Sequence, residues 1–307
     1  MNHPANPPLP PDSCSLGWGG LSAFGTAPQA SFWVALEQPG PWGRDAFTQS
    51  HLDPDLGARI EAAAAAHGGR AILIRRPGQH ADSHGGPRRV FVAGGLAGAA
   101  WLLSGEVDDP AEVLTLPWEH LAQTRPVEAP WLHPADPVLL VCTNAKRDRC
   151  CALVGRPIVE ALAERDLRVW ECSHTSGHRF APTGVLLPYG QVLARLTPTL
   201  GVEVLEAAAS GKLAVGTLNE QHDRSVSWLP PREGAAVSWV RAREAFTDPI
   251  GLAAVADGDS VTVTRVDGQI WELTVTRQES EPRAESCGKD AKPAAVFHVE
   301  LLSAVYA

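Results

Sequence analysis

The sequence has no basic leader followed by an apolar run, no stretch apolar and long enough to cross a bilayer, and no long stripe of lysine and arginine. The first absence argues against export, the second against a membrane span, and the third against a nucleic-acid partner. The net charge of −9 would suit docking on a basic partner, but most acidic proteins are simply soluble. There is also no C-x-x-C pair, the arrangement a thiol–disulfide oxidoreductase places at a helix start. Nor does a pair of opposed carboxylates stand out, and glycoside hydrolysis needs one.

At 307 residues the chain can bury more than one core, so two or three domains are expected. Residues 1–13, MNHPANPPLPPDS, read as a disordered Pro-rich tail. Without a leader the protein is expected in the cytoplasm, with its six cysteines reduced. Cys142, Cys150 and Cys151 fall within ten residues, and Cys172 follows a helix and a strand later. In a cytosolic chain such crowding points to metal or redox chemistry rather than disulfides.

Element order suggests an α/β fold. Residues 14–127 read as strand (Ser31 to Glu37), helix (Leu56 to His67, stopped by Gly68-Gly69), strand (Ala71 to Ile74), a hairpin and a closing helix over Ala111 to Ala122. Residues 128–220 repeat that order, with a strand at Val138 to Val141, a helix at Cys151 to Arg165 and a strand at Arg168 to Glu171. A hairpin and the helix Val202 to Leu213 follow. This is the order of a thioredoxin-like unit, so two tandem units are expected. Residues 221–307 read as a small appended α+β module, in which Asp267-Gly268 marks a type I′ hairpin turn.

The chemistry gathers where the strands of the second unit end. Cys142 closes one strand, and Cys151 stands in the first turn of the helix. There the macrodipole and nearby Lys146, Arg147 and Arg149 favour a thiolate. His174 and His178, spaced i, i+4, can be aimed at one point by a helical turn or a tight loop. Two thiolates and two imidazoles suit tetrahedral zinc, structural or regulatory, or a [2Fe–2S] cluster with two cysteines on one iron and two histidines on the other.

CTNAKRDRCC followed by WECSHTSGHRFAPTGVLLPYG resembles the sucrase/ferredoxin-like family of thioredoxin-like [2Fe–2S] proteins. The spacing of nine between Cys142 and Cys151, the H-T-S-G-H run and the trailing Arg179-Phe180 carry the likeness. GPWGRDAF and AILIRRPGQH extend it over roughly residues 14 to 230. The resemblance implies that Cys142 and Cys151 hold one iron, that His174 and His178 hold the other, and that the activity is electron transfer. Asn144 departs from the pattern, which has histidine there in many relatives. Vicinal Cys150-Cys151 leaves the second thiolate open, with Cys151 favoured on spacing. The sucrase half of the family name finds no support in these residues.

The expectation is therefore an electron carrier rather than a catalyst, working with a redox partner protein. Electron transfer is coupled to protons if the outer imidazole nitrogens reach water. Other candidates carry less. Cys172 alternates with Trp170 along a strand and reads as core, with a spare ligand role. Cys14 has no evident partner, and Cys287 reads as an isolated loop residue outside the ligand set. His80 and His84 repeat the i, i+4 spacing in the first unit, where no cysteine pair accompanies them. Arg75-Arg76 and Arg88-Arg89 read as a solvated loop, although they could bind an anion. AGGLAG at 93–98 has no following helix and so offers no pyrophosphate seat. Ten tryptophans are dispersed and read as core.

Overall fold

A short helical turn, Cys14–Gly17 (α1), precedes the first strand, Trp33–Glu37 (β1), in this computed structural model, which describes residues 8–78, 86–165 and 167–305. His80, His84 and the start of the Pro-rich tail lie outside the described residues. Helix Pro54–Ala66 (α2) begins where Asp53 accepts from the Leu56 amide at 2.8 Å, with Pro54 in its first turn. Gly68, at φ +75°, turns the chain out of it into Arg70–Arg75 (β2). Arg88–Gly94 (β3) and Trp101–Val107 (β4) form the expected hairpin through the glycine-rich turn. The helix expected over Ala111 to Ala122 is instead two 3₁₀ turns, Pro110–Thr115 and Trp118–His120. Pro117 stands between them, and its missing N–H and fixed φ interrupt a regular helix.

His133–Pro134 (β5) leads to Val138–Cys142 (β6), Arg149–Ala163 (α3) and Val169–Cys172 (β7). Gly184–Leu187 (β8), Gln191–Leu193 (β9), Pro198–Ala209 (α4) and Asp223–Val226 (β10) follow. These strands form one mixed sheet in the order β10-β9-β8-β6-β7-β2-β1-β3-β4-β5. One pattern occurs twice within it. A strand is parallel to the next through a helix (β1–β2, β6–β7) and antiparallel to a hairpin strand on its other side (β1–β3, β6–β8). The two halves meet where β2 and β7 pair antiparallel, with Ile74 opposite Cys172 and Arg75 opposite Glu171.

Period-two alternation distributes the side chains. Val34 and Leu36 face α2, while Leu139 and Val141 face α3 and α4. Trp33, Ala35, Val138, Leu140 and Cys142 point to the opposite face, where a single apolar cluster spans both halves.

Pro231–Glu244 (α5) packs on an antiparallel sheet of Leu252–Asp257 (β11), Ser260–Arg265 (β12), Ile270–Glu279 (β13) and Ala295–Val305 (β16). Between β13 and β16 the chain leaves this sheet as a small ribbon, Arg283–Ala284 (β14) paired with Ala291–Lys292 (β15). The ribbon reaches back to α1, where Trp18 donates its indole N–H to the Ala284 carbonyl at 3.0 Å. The architecture is thus mixed α/β, a large mixed sheet with a small C-terminal antiparallel one. Among the described residues no helix is long and apolar enough to cross a membrane.

Candidate metal centre

Cys142 and Cys172 are register partners at the ends of parallel β6 and β7, and both are fully buried. Beyond Cys142 the Asn144 side chain braces the loop. It accepts from the amides of Lys146 (3.1 Å) and Arg147 (3.3 Å) and donates to the Gly43 carbonyl at 3.0 Å. Asn144 is therefore a loop brace. Asp148 closes the loop and caps α3, accepting from the Cys150 amide at 2.9 Å. Helix α3 then runs close against β6: a Cβ on Gly155 would lie 2.5 Å from the Cys142 carbonyl oxygen. Only glycine allows this approach, and it seats the first turn of α3 beside the strand end.

Adjacent residues on a helix diverge by about 100°, so Cys150 and Cys151 face different groups. Cys151 makes a thiol–thiol hydrogen bond with Cys142, and His174 reaches the same sulfur. The Cys142 thiol is held well below its usual range, first by that bond from Cys151 and then by His174. Cys151, the donor, is pushed up. Cys172 stands apart from these contacts, its thiol pushed up by burial.

The two histidines are presented by a loop rather than a helical turn. Ser176 (φ 61°) and Gly177 (φ 67°) are consecutive left-handed residues, after which His178–Phe180 forms a 3₁₀ turn. The fully buried Arg224 guanidinium fills the space beside Gly177 and donates to the Ser176 carbonyl at 2.8 Å. The imidazole rings end 5.5 Å apart at an interplanar angle of 33°. The Nδ1 atoms of His174 and His178 are both buried, and neither has a hydrogen-bond partner. Burial also lowers the pKa of His178. His174 lines a recess of about 180 Å³ with Arg44, Arg70 and Arg147 on its walls.

Cys150 points the other way, towards two cysteines that the sequence reading left alone. Its sulfur is 3.8 Å from that of Cys14 and 3.2 Å from that of Cys287, and the latter two are 3.6 Å apart. Cys14 therefore has partners, and Cys287 is not isolated. The ribbon β14–β15 carries Cys287 across the molecule, and spacings of 136 and 137 residues leave no local signal for either contact. Together with Asp148 the three thiols form a group that could hold a metal ion. The one cue in the sequence was Asp148 itself, an N-cap type directly before the helix.

Arg75 and Arg76 read as a solvated loop; instead Arg75 ends β2 and pairs with Glu171, and Arg76, just beyond the strand, pairs with Glu37. Arg89 pairs with Glu106 at 2.6 Å.

No curated protein and no solved structure matches this chain. A family model described as sucrase/ferredoxin-like matches residues 23–218, well over half of the sequence. That span holds β6, α3, β7 and the histidine loop, and the protein accordingly belongs to the sucrase/ferredoxin-like family.

Proposed function

We propose that the protein is an electron carrier whose Cys142, Cys151, His174 and His178 hold a [2Fe–2S] cluster, the thiolates on one iron and the imidazoles on the other. The observation that carries this reading is the pair of buried, unpartnered Nδ1 atoms on His174 and His178. Leaving such an atom unsatisfied costs about 1–3 kcal/mol, and two in one loop ask for a common partner. The donor set fits the group: Cys142 is in contact with both Cys151 and His174, and the His178 ring lies 5.5 Å from that of His174. When bound, such a cluster exchanges one electron, and neutral imidazoles in place of two thiolates raise its potential.

The chain's own residues do the positioning. Gly155 lets α3 bring Cys151 onto Cys142, and Arg224 locks the loop that presents His178. The recess beside His174 gives that side chain a route to water and supports proton coupling. A cytoplasmic setting is part of the same reading. So are two tandem thioredoxin-like units, residues 14–127 without a cluster and 128–220 with one, followed by the module 221–307. The repeated sheet order supports that division.

The test is anaerobic purification followed by an absorption spectrum, iron and sulfide analysis, and electron paramagnetic resonance after reduction. A coloured protein with iron and sulfide in equal amounts is expected. Iron should be lost in Cys142→Ser, and the potential should fall in His174→Cys. A colourless, iron-free protein carrying zinc on these residues would replace the reading with a structural zinc centre. Proton coupling predicts a potential that falls as pH rises through the imidazole range, about pH 6 to 10; a flat profile excludes it.

A further inference from the structure

We infer that Cys14, Cys150 and Cys287, completed by the Asp148 carboxylate, form a second, mononuclear site for a thiophilic divalent cation, zinc foremost, distinct from the Cys142, Cys151, His174 and His178 group. All four donor atoms lie within 4.8 Å of one another. Tetrahedral zinc with Zn–S near 2.3 Å sets its sulfurs about 3.8 Å apart and places a carboxylate oxygen about 3.5 Å from each. The sulfur separations here are 3.8, 3.6 and 3.2 Å. The Asp148 carboxylate meets the sulfurs with both oxygens, Oδ2 at 3.5 Å from the Cys14 sulfur and Oδ1 at 3.3 Å from that of Cys287. No sulfur pair approaches the roughly 2.05 Å of a disulfide.

The surroundings are built for the ion. Asp148 is fixed by the Cys150 amide, the Cys287 amide at 2.8 Å and the Ser286 hydroxyl at 3.0 Å, which orient a ligating carboxylate in the way metal sites require. The Arg149 guanidinium, ion-paired with Asp12, lies close enough to Cys287 to offset part of the negative charge. Cys14 and Cys150 are buried and Cys287 is half-buried, so the ion has a way in from solvent while the site stays shielded. On binding, each thiol still protonated releases its proton to water and a sulfur–metal bond replaces the S–H bond; no electrons move.

The donors come from α1, the start of α3 and the ribbon β14–β15, so an ion here ties both ends of the chain to the helix that carries Cys151. This inference stands apart from the electron-carrier reading, because none of the four donors is assigned to the cluster.

The test is zinc and iron content per chain for the full-length protein, together with cobalt reconstitution. One zinc per chain is expected, retained in Cys142→Ser when iron is lost. Cys14→Ser and Cys287→Ser should each abolish the zinc and lower the thermal midpoint. Cobalt should show the intense visible bands of tetrahedral thiolate coordination, lost in Cys287→Ser and regained in part in Cys287→His. A wild-type chain with neither zinc nor cobalt bands would overturn the assignment. So would zinc that survives in both serine variants, or an intact mass two hydrogens light that maps to a Cys150–Cys287 disulfide.

Discussion

Cys150 and Cys151 are chemically identical neighbours, yet helix geometry points one towards Cys14 and Cys287 and the other towards Cys142. Cys151→Ser should therefore abolish iron binding, while Cys150→Ser should leave iron per chain and the visible spectrum near wild type. Spacing along the chain favoured Cys151 but could not separate the two, because direction is a property of the helix and its neighbours. Gly177 is legible only afterwards. Its left-handed φ costs an L-residue about 1–2 kcal/mol, and the buried Arg224 guanidinium occupies the place of a Cβ. Gly177→Ala should lower stability by more than Gly211→Ala, which has a similar φ of +73° but open space around it. Chemical denaturation checks this, and equal losses would show that the contact with Arg224 is inconsequential.

Elements whose signals are local came through the sequence reading well. The hairpin turns at Asp267-Gly268 as expected, but not through a type I′ turn, since of the two only Gly268 (φ 94°) is left-handed; helix α2 with its glycine stop and the strands ending on Cys142 and Cys172 fell near their expected places. The closing helix did not, since Pro117 outweighs the apolar periodicity around it. Within the turn, hydrogen bonds from Arg265 hold the Asp267 carboxyl at about 2. A depressed carboxyl contributes stability above its unfolded value of about 3.9, and that contribution is lost as pH falls towards about 2. Asp267→Asn should flatten the stability profile over that window. Because the group is exposed, the change should be small and should shrink in high salt. At the helix scale, Gly155→Ala must push α3 away from the Cys142 carbonyl. Overpacking of this kind costs about 1–3 kcal/mol, and reduced iron retention should accompany the loss.

Across the whole molecule, the β2–β7 pairing and the apolar cluster common to both halves make one cooperative body of the large sheet. Ile74 is fully buried opposite Cys172 on that seam. Ile74→Ala should cost about 2–5 kcal/mol and increase amide exchange in both halves; protection lost in the first half alone would mean that they unfold independently. What the sequence determined by itself was whatever repeats over a few residues: strand and helix periods, turn residues, and the local spacings that bring Cys142 near Cys151 and His174 near His178. Tertiary structure decided which cysteine of the vicinal pair faces which site, how the two halves share one sheet, and that Cys14 and Cys287 meet at Asp148. The physical reason is that local pattern is written in side-chain spacing. Contacts between residues more than a hundred positions apart depend on sheet register and packing, which no single residue type announces.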